Sequence, residues 1–151
     1  MKIAIIIGSE SDRKHFEDTE KYLEFFGLEC DFRVMSAHRN PDEVTLFARE
    51  AENEGIEVII AAAGMAAHLP GVVASHTSLP VIGIPIPGSA LSGMDSLFSI
   101  VQMPSGIPVA TVSLGKAGAK NSIILAARIL GLKYEKIRGK LNQFKSQGYR
   151  L

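Results

Sequence analysis

The sequence has no tryptophan and a single cysteine, Cys30, among its 151 residues. No internal disulfide can form, so Cys30 is expected as a small buried apolar residue in a reducing cytoplasmic setting. Excess charge is absent too, because 16 Lys+Arg balance 16 Asp+Glu. A chain of zero net charge lacks the electrostatic footprint of a dedicated nucleic-acid binder. No apolar run approaches the ~18 residues of a membrane span. Met1-Lys2-Ile3 leads directly into a strand pattern, so no signal peptide is expected. Several catalytic signatures are missing as well. There is no G-x-x-x-x-G-K-[ST], no G-x-G-x-x-G after the first strand and no G-x-S-x-G elbow. A receiver-type phosphorylation domain needs an aspartate where Ala61-Ala62-Ala63 stands. His38 and His68 have no acidic or thiol companion nearby, so no metal site is expected.

What is present is an ordinary globular composition, 46% apolar and 21% charged, of a length that suits one domain over residues 1–151. From Lys133 to Leu151 there are six basic residues and one acidic one. A solvated terminal helix from about residue 133 accounts for that tail better than an RNA or membrane contact.

Strand and helix patterns alternate along the chain. Ile3–Ile7 is a β-branched run of the kind buried on both faces of a parallel sheet. Phe16, Thr19, Leu23 and Phe26 follow at helical spacing, with Gly27 as the stop. Phe32–Met35 reads as the second strand. Asn40-Pro41-Asp42-Glu43 then predicts a helix with Asn as cap and Pro at its first position, running to Gly55. Val58–Ala62, Val81–Ile84 and Val109–Val112 supply three more strands. Short helices are expected at 69–76 and 94–101, and longer ones at about 119–130 and 134–147. The pattern defines an α/β fold: a three-layer, doubly wound, parallel five-stranded sheet, with the flavodoxin-like order 2-1-3-4-5 expected.

Such sheets bind ligands at the carboxyl ends of their strands. Gly8-Ser9-Glu10-Ser11-Asp12 follows strand one; it either cradles a phosphate or lets Ser11 or Asp12 cap a helix. Asp12 could also accept from ribose hydroxyls. Ser36-Ala37-His38-Arg39 follows strand two and sets a titratable imidazole beside a permanent cation. Ala63 to Gly71, with Gly64, His68 and Leu69, follows strand three. Gly115-Lys116-Ala117-Gly118 follows strand five, and Lys116 either binds an anion or is solvated. His15 and His76 read as surface residues. Together these groups suit acid/base chemistry on a phosphorylated small molecule.

Four motifs in one order resemble the N5-carboxyaminoimidazole ribonucleotide mutases of purine biosynthesis. They are Gly8-Ser9-x-Ser11-Asp12, Ser36-Ala37-His38-Arg39, Ala66-Ala67-His68-Leu69-Pro70-Gly71 and Asp95 to Pro104. The resemblance runs from Lys2 to about Leu130. It implies an isomerase that moves a carboxyl group from the exocyclic nitrogen of an aminoimidazole ribonucleotide to ring carbon C4, without ATP, biotin or metal. It further implies His38 as general acid/base, His68 as a second active-site histidine, and Ser9, Asp12 and Arg39 as ribose and phosphate ligands. Ser11, Ser36, Ala63, Gly64 and Leu69 are expected to complete the substrate site. A homo-octamer is implied, with the stretches around Ile84-Pro85-Ile86-Pro87 and Leu97-Phe98 available for contacts. Ala61 to Ala67 is expected to wall a dry pocket for CO2. The chain departs from the family pattern at Asn40, Ala62 and Met65, and Met65 is expected to add bulk to that wall. Two alternatives stand beside the mutase: a carboxylase using CO2 directly, and a non-catalytic nucleotide-binding module.

Overall fold

The computed structural model describes residues 1–151. Five strands, β1 (Lys2–Ile7), β2 (Glu29–Val34), β3 (Ile56–Gly64), β4 (Val81–Ile86) and β5 (Ala110–Thr111), form one sheet. Their order is β2-β1-β3-β4-β5 and every pairing is parallel, which is the flavodoxin-like arrangement expected from the sequence. The helices are α1 (Glu20–Phe26), α2 (Pro41–Glu50), α3 (Leu69–Ala74), α4 (Met94–Val101), α5 (Gly115–Leu130) and α6 (Glu135–Ser146).

Period-two alternation sorts the strand residues into two cores. Ile3, Ile5, Ile7, Val58, Ile60, Ile82 and Ile84 face α1, α5 and α6, packing on Phe26, Ile123, Ala127 and Phe144. Ala4, Ile6, Ile59, Ala61 and Val81 face α2, α3 and α4, packing on Val44, Phe47, Leu69, Val73 and Ile100. All of Ile3–Ile7 is fully buried. Each isoleucine there contributes ~1.5–3 kcal/mol of transfer free energy. Both sheet edges are different in kind. β2 carries Glu29, Asp31 and Arg33, with an Asp31–Arg33 ion pair of 2.7 Å. That pair holds the Asp31 carboxyl below its ordinary range. β5 is only two residues long.

The structure corrects several boundaries. The apolar spacing from Phe16 to Phe26 belongs to two pieces, a 3-10 turn at Glu10–His15 and α1 beginning at Glu20. The Thr19 hydroxyl donates to the Phe16 carbonyl at 2.6 Å, which ends the first piece. Phe16, Thr19 and Phe26 are nonetheless buried as their spacing predicted. Gly27 stops α1 in the left-handed region at φ 67°, and the Leu28 N–H closes back on the Leu23 carbonyl at 2.9 Å. β3 extends two residues past Ala62, so Ala63 and Gly64 are strand residues. α2 ends at Glu50 and reaches Gly55 only through turns. α5 starts at Gly115, four residues before the expected Ala119. No helix is long and apolar enough to cross a membrane.

Candidate active site

A cleft of about 570 Å³ lies across the carboxyl edge of the sheet. That volume falls within the ~300–1,000 Å³ typical of small-molecule sites. All ten site residues expected from the sequence line it: Ser9, Ser11, Asp12, Ser36, His38, Arg39, Ala63, Gly64, His68 and Leu69. They come from three separate segments at the ends of β1, β2 and β3, and parallel strand order alone makes those ends neighbours.

The floor is set by close packing of strand ends. A Cβ on Gly64 would stand 3.2 Å from the Ile86 carbonyl oxygen, so a larger residue would separate β3 from β4. Over β1, the Ser9 hydroxyl accepts from the Ser11 N–H at 3.4 Å and lies 2.9 Å from the Ser11 hydroxyl. The loop is therefore capped by its own serine, and Ser9 does this rather than Ser11 or Asp12. Ser11 in turn donates weakly to Asp12 Oδ1 at 3.5 Å. Burial raises the Asp12 carboxyl above its ordinary range, against the opposing influence of His15 and the Ser11 hydroxyl.

Over β2, the Ser36 hydroxyl accepts from the His38 and Arg39 N–H groups, each at 3.3 Å. This turn orients both side chains. Asn40 stands at the cap of α2, yet its side chain makes no capping bond. Arg39 is exposed and enters no protein salt bridge. It is thus a free guanidinium at the rim, suited to an anion.

Two histidines 30 residues apart meet here. His38 Nε2 lies 2.6 Å from His68 Nδ1, with the rings nearly perpendicular at 85°. One nitrogen must donate and the other accept, so a single hydrogen occupies the contact. His38 Nδ1 and His68 Nε2 remain for other partners.

The β3 loop differs from its expected form. Ala61, Ala62 and Ala67 are in the core at 0–1% exposure. Only Ala63, Gly64, Met65 and Ala66 of that run line the cleft. Met65 adopts a left-handed backbone at φ 54° and its side chain is 68% exposed. Met65 thus lines the cleft as an exposed residue. Leu69 is 2% exposed and anchors the loop in the core beneath the cleft that it helps to line. Lys116 turns away to Glu17 at 3.1 Å and does not line the cleft.

Sequence reasoning missed Lys14, His15 and the Pro87-Gly88-Ser89 segment, all of which line the cleft. The last follows β4, so the rule that strand-end loops converge could have found it. His15, expected at the surface, is partly buried. Burial and the neighbouring Lys14 charge push its imidazole below the ordinary range, with Asp12 opposing.

Fold and site together define a class: a doubly wound α/β protein whose strand-end cleft holds two paired histidines beside an unpaired arginine. The family profile described as AIR carboxylase matches residues 2–150, and the chain belongs to this family. A Saccharolobus solfataricus protein named N5-carboxyaminoimidazole ribonucleotide mutase is 56% identical over 143 residues, covering 95% of this chain and 89% of the relative. A Pseudomonas aeruginosa protein of the same name is 51% identical, covering 95% of this chain and 88% of that one. Among solved structures, Treponema denticola PurE superposes with a TM-score of 0.87 at 30% identity, covering 98% of this chain and 91% of that one.

Proposed function

We propose that this protein is an isomerase of purine biosynthesis. It would convert N5-carboxyaminoimidazole ribonucleotide to 4-carboxy-5-aminoimidazole ribonucleotide. The observation that carries the reading is the 2.6 Å contact between His38 and His68 beside the free Arg39 guanidinium, in a chain 56% identical to a protein of that name. In this reading His38 protonates the exocyclic nitrogen of the carbamate, and the N–C bond breaks to release CO2. Ring carbon C4 attacks the CO2 and forms the new C–C bond. Neutral His38 then removes the hydrogen from C4, which restores the aromatic ring. The proton lent in the first step returns in the last, so no net proton is consumed. Ala63, Gly64 and Ala66 offer the small wall beside which CO2 would wait.

Arg39 and the serine loops would hold the phosphate, and Asp12 the ribose. Supplying substrate with a labelled carbamate carbon, without ATP, tests the reading by NMR. Label reaching C4 with little exchange into bulk CO2 is the expected result. Full exchange would instead mark a carboxylase that uses CO2 directly, and no conversion would leave a binding module.

The resemblance also supports one domain acting in the cytoplasm as a homo-octamer. Leu91, Met94, Phe98 and Val101, each 47–63% exposed, give α4 and its approach an apolar face for such contacts. The check is a light-scattering mass of eight times 16.3 kDa; a monomer mass would discard the assembly.

A further inference from the structure

We propose that His15 is a ribose ligand. Its Nε2–H donates to one hydroxyl of the pentose, while the Asp12 carboxylate accepts from the neighbouring hydroxyl. The inference rests on the nucleotide reading above and adds a residue to that site.

His15 closes the 3-10 turn that begins at Glu10. Residues three apart in such a turn eclipse one another, so Asp12 and His15 project from the same side. Both line the cleft. The ring rests against the start of α5: a Cβ on Gly115 would lie 3.3 Å from His15 Nδ1 and 3.3 Å from Pro87 Cδ. Glycine at 115 therefore makes room for the imidazole. Nδ1 is shut away from solvent without a hydrogen-bond partner, whereas Nε2 is not enclosed.

This asymmetry fixes the tautomer. Protonating Nδ1 would bury an unpaired N–H, which is costly. The ring therefore stays neutral and carries its hydrogen on Nε2. The charged groups around it are two of each sign. Lys14 and Asp12 come from its own turn, Glu17 from the next turn and Lys116 from α5, and burial tips the balance toward the neutral form.

Position decides which part of the ligand arrives. His38 and His68 precede α2 and α3, the helices on one sheet face. His15 packs toward α5, on the other face. Gly8, Ala63 and Gly64 lie between them on the cleft floor. A ligand whose base sits at the histidine pair must reach His15 with a different group. In this reading Arg39 and the serine hydroxyls take the phosphate, which leaves the pentose to Asp12 and His15. Hydroxyls can donate to a carboxylate while accepting from an N–H.

The probe is non-reacting 5-aminoimidazole ribonucleotide and its 2′-deoxy and 3′-deoxy forms, with Kd measured by calorimetry on the whole protein. His15→Phe is expected to weaken the ribonucleotide about tenfold. It should leave one of the two deoxy forms unaffected, because that form lacks the accepting hydroxyl. His15→Gln, which retains a donor, should recover part of the loss. The ratio of mutant to wild-type Kd should stay flat from about pH 8 to pH 6, as a neutral donor requires. Equal losses for all three ligands would overturn the proposal, as would a ratio that climbs steeply on acidification. Wild-type protein that binds none of the three overturns the nucleotide reading itself, and this inference with it.

Discussion

Replacing His38 with asparagine is expected to lower kcat about a thousandfold, within the range for losing a general acid/base. Asparagine retains a hydrogen-bonding group but cannot carry a proton at neutral pH. His38 is exposed on a turn held by Ser36, so the melting temperature should not move. KM should change little, because Arg39 and the β1 loop remain. A loss of less than tenfold would remove His38 from the chemistry. His68→Asn is expected to be milder, roughly ten- to a hundredfold. A loss of less than threefold would mean that the 2.6 Å contact does not persist with substrate bound.

Gly118→Ala is expected to have the largest effect on stability. A Cβ at this position would stand 1.8 Å from the Ser113 carbonyl oxygen and 2.8 Å from Ile84 Cγ2. The first neighbour is backbone and cannot rotate away. α5 would have to lift from β4, opening the core around Ile84 and Ile123. Overpacking of this kind costs about 3 kcal/mol or more. For a chain of this length that is about a 10 °C fall in Tm, read by thermal denaturation. Gly115 and the His15 ring lie at the same helix start, so ribonucleotide binding should weaken along with stability. An unchanged Tm would mean that the β5–α5 junction is far more compliant than its packing indicates.

Much of the fold was legible because its physics is local. β-branched runs such as Ile3–Ile7 have only one comfortable home, a strand covered on both faces. Once five such runs alternate with helices, chain connectivity leaves few sheet orders. The strand-end rule likewise brought Ser9, Ser36, His38 and His68 together before any coordinate was known. The misses have a common cause in tertiary packing. Glycines at 115 and 118 look like a loop in isolation, yet both are helical because α5 must approach Pro87 and Ser113 closely. Thr19 lies on the buried stripe, but its hydroxyl bond to Phe16 breaks the helix that the stripe suggested. His15 escaped notice for the same reason. Its neighbours Gly115 and Pro87 come from distant parts of the chain, which no local pattern around residue 15 reveals. Met65 stands in a left-handed backbone that its identity does not reveal, and that angle helps set where its side chain points.

The two edges of the sheet carry a last consequence. A bare strand edge invites another strand, and proteins guard against that with charge or brevity. Here β2 is guarded by Glu29, Asp31 and Arg33, and β5 ends after two residues. Ribbon-to-ribbon growth is closed off on both sides. Any contact between copies of this chain would then run through helices and loops, and not through a shared sheet.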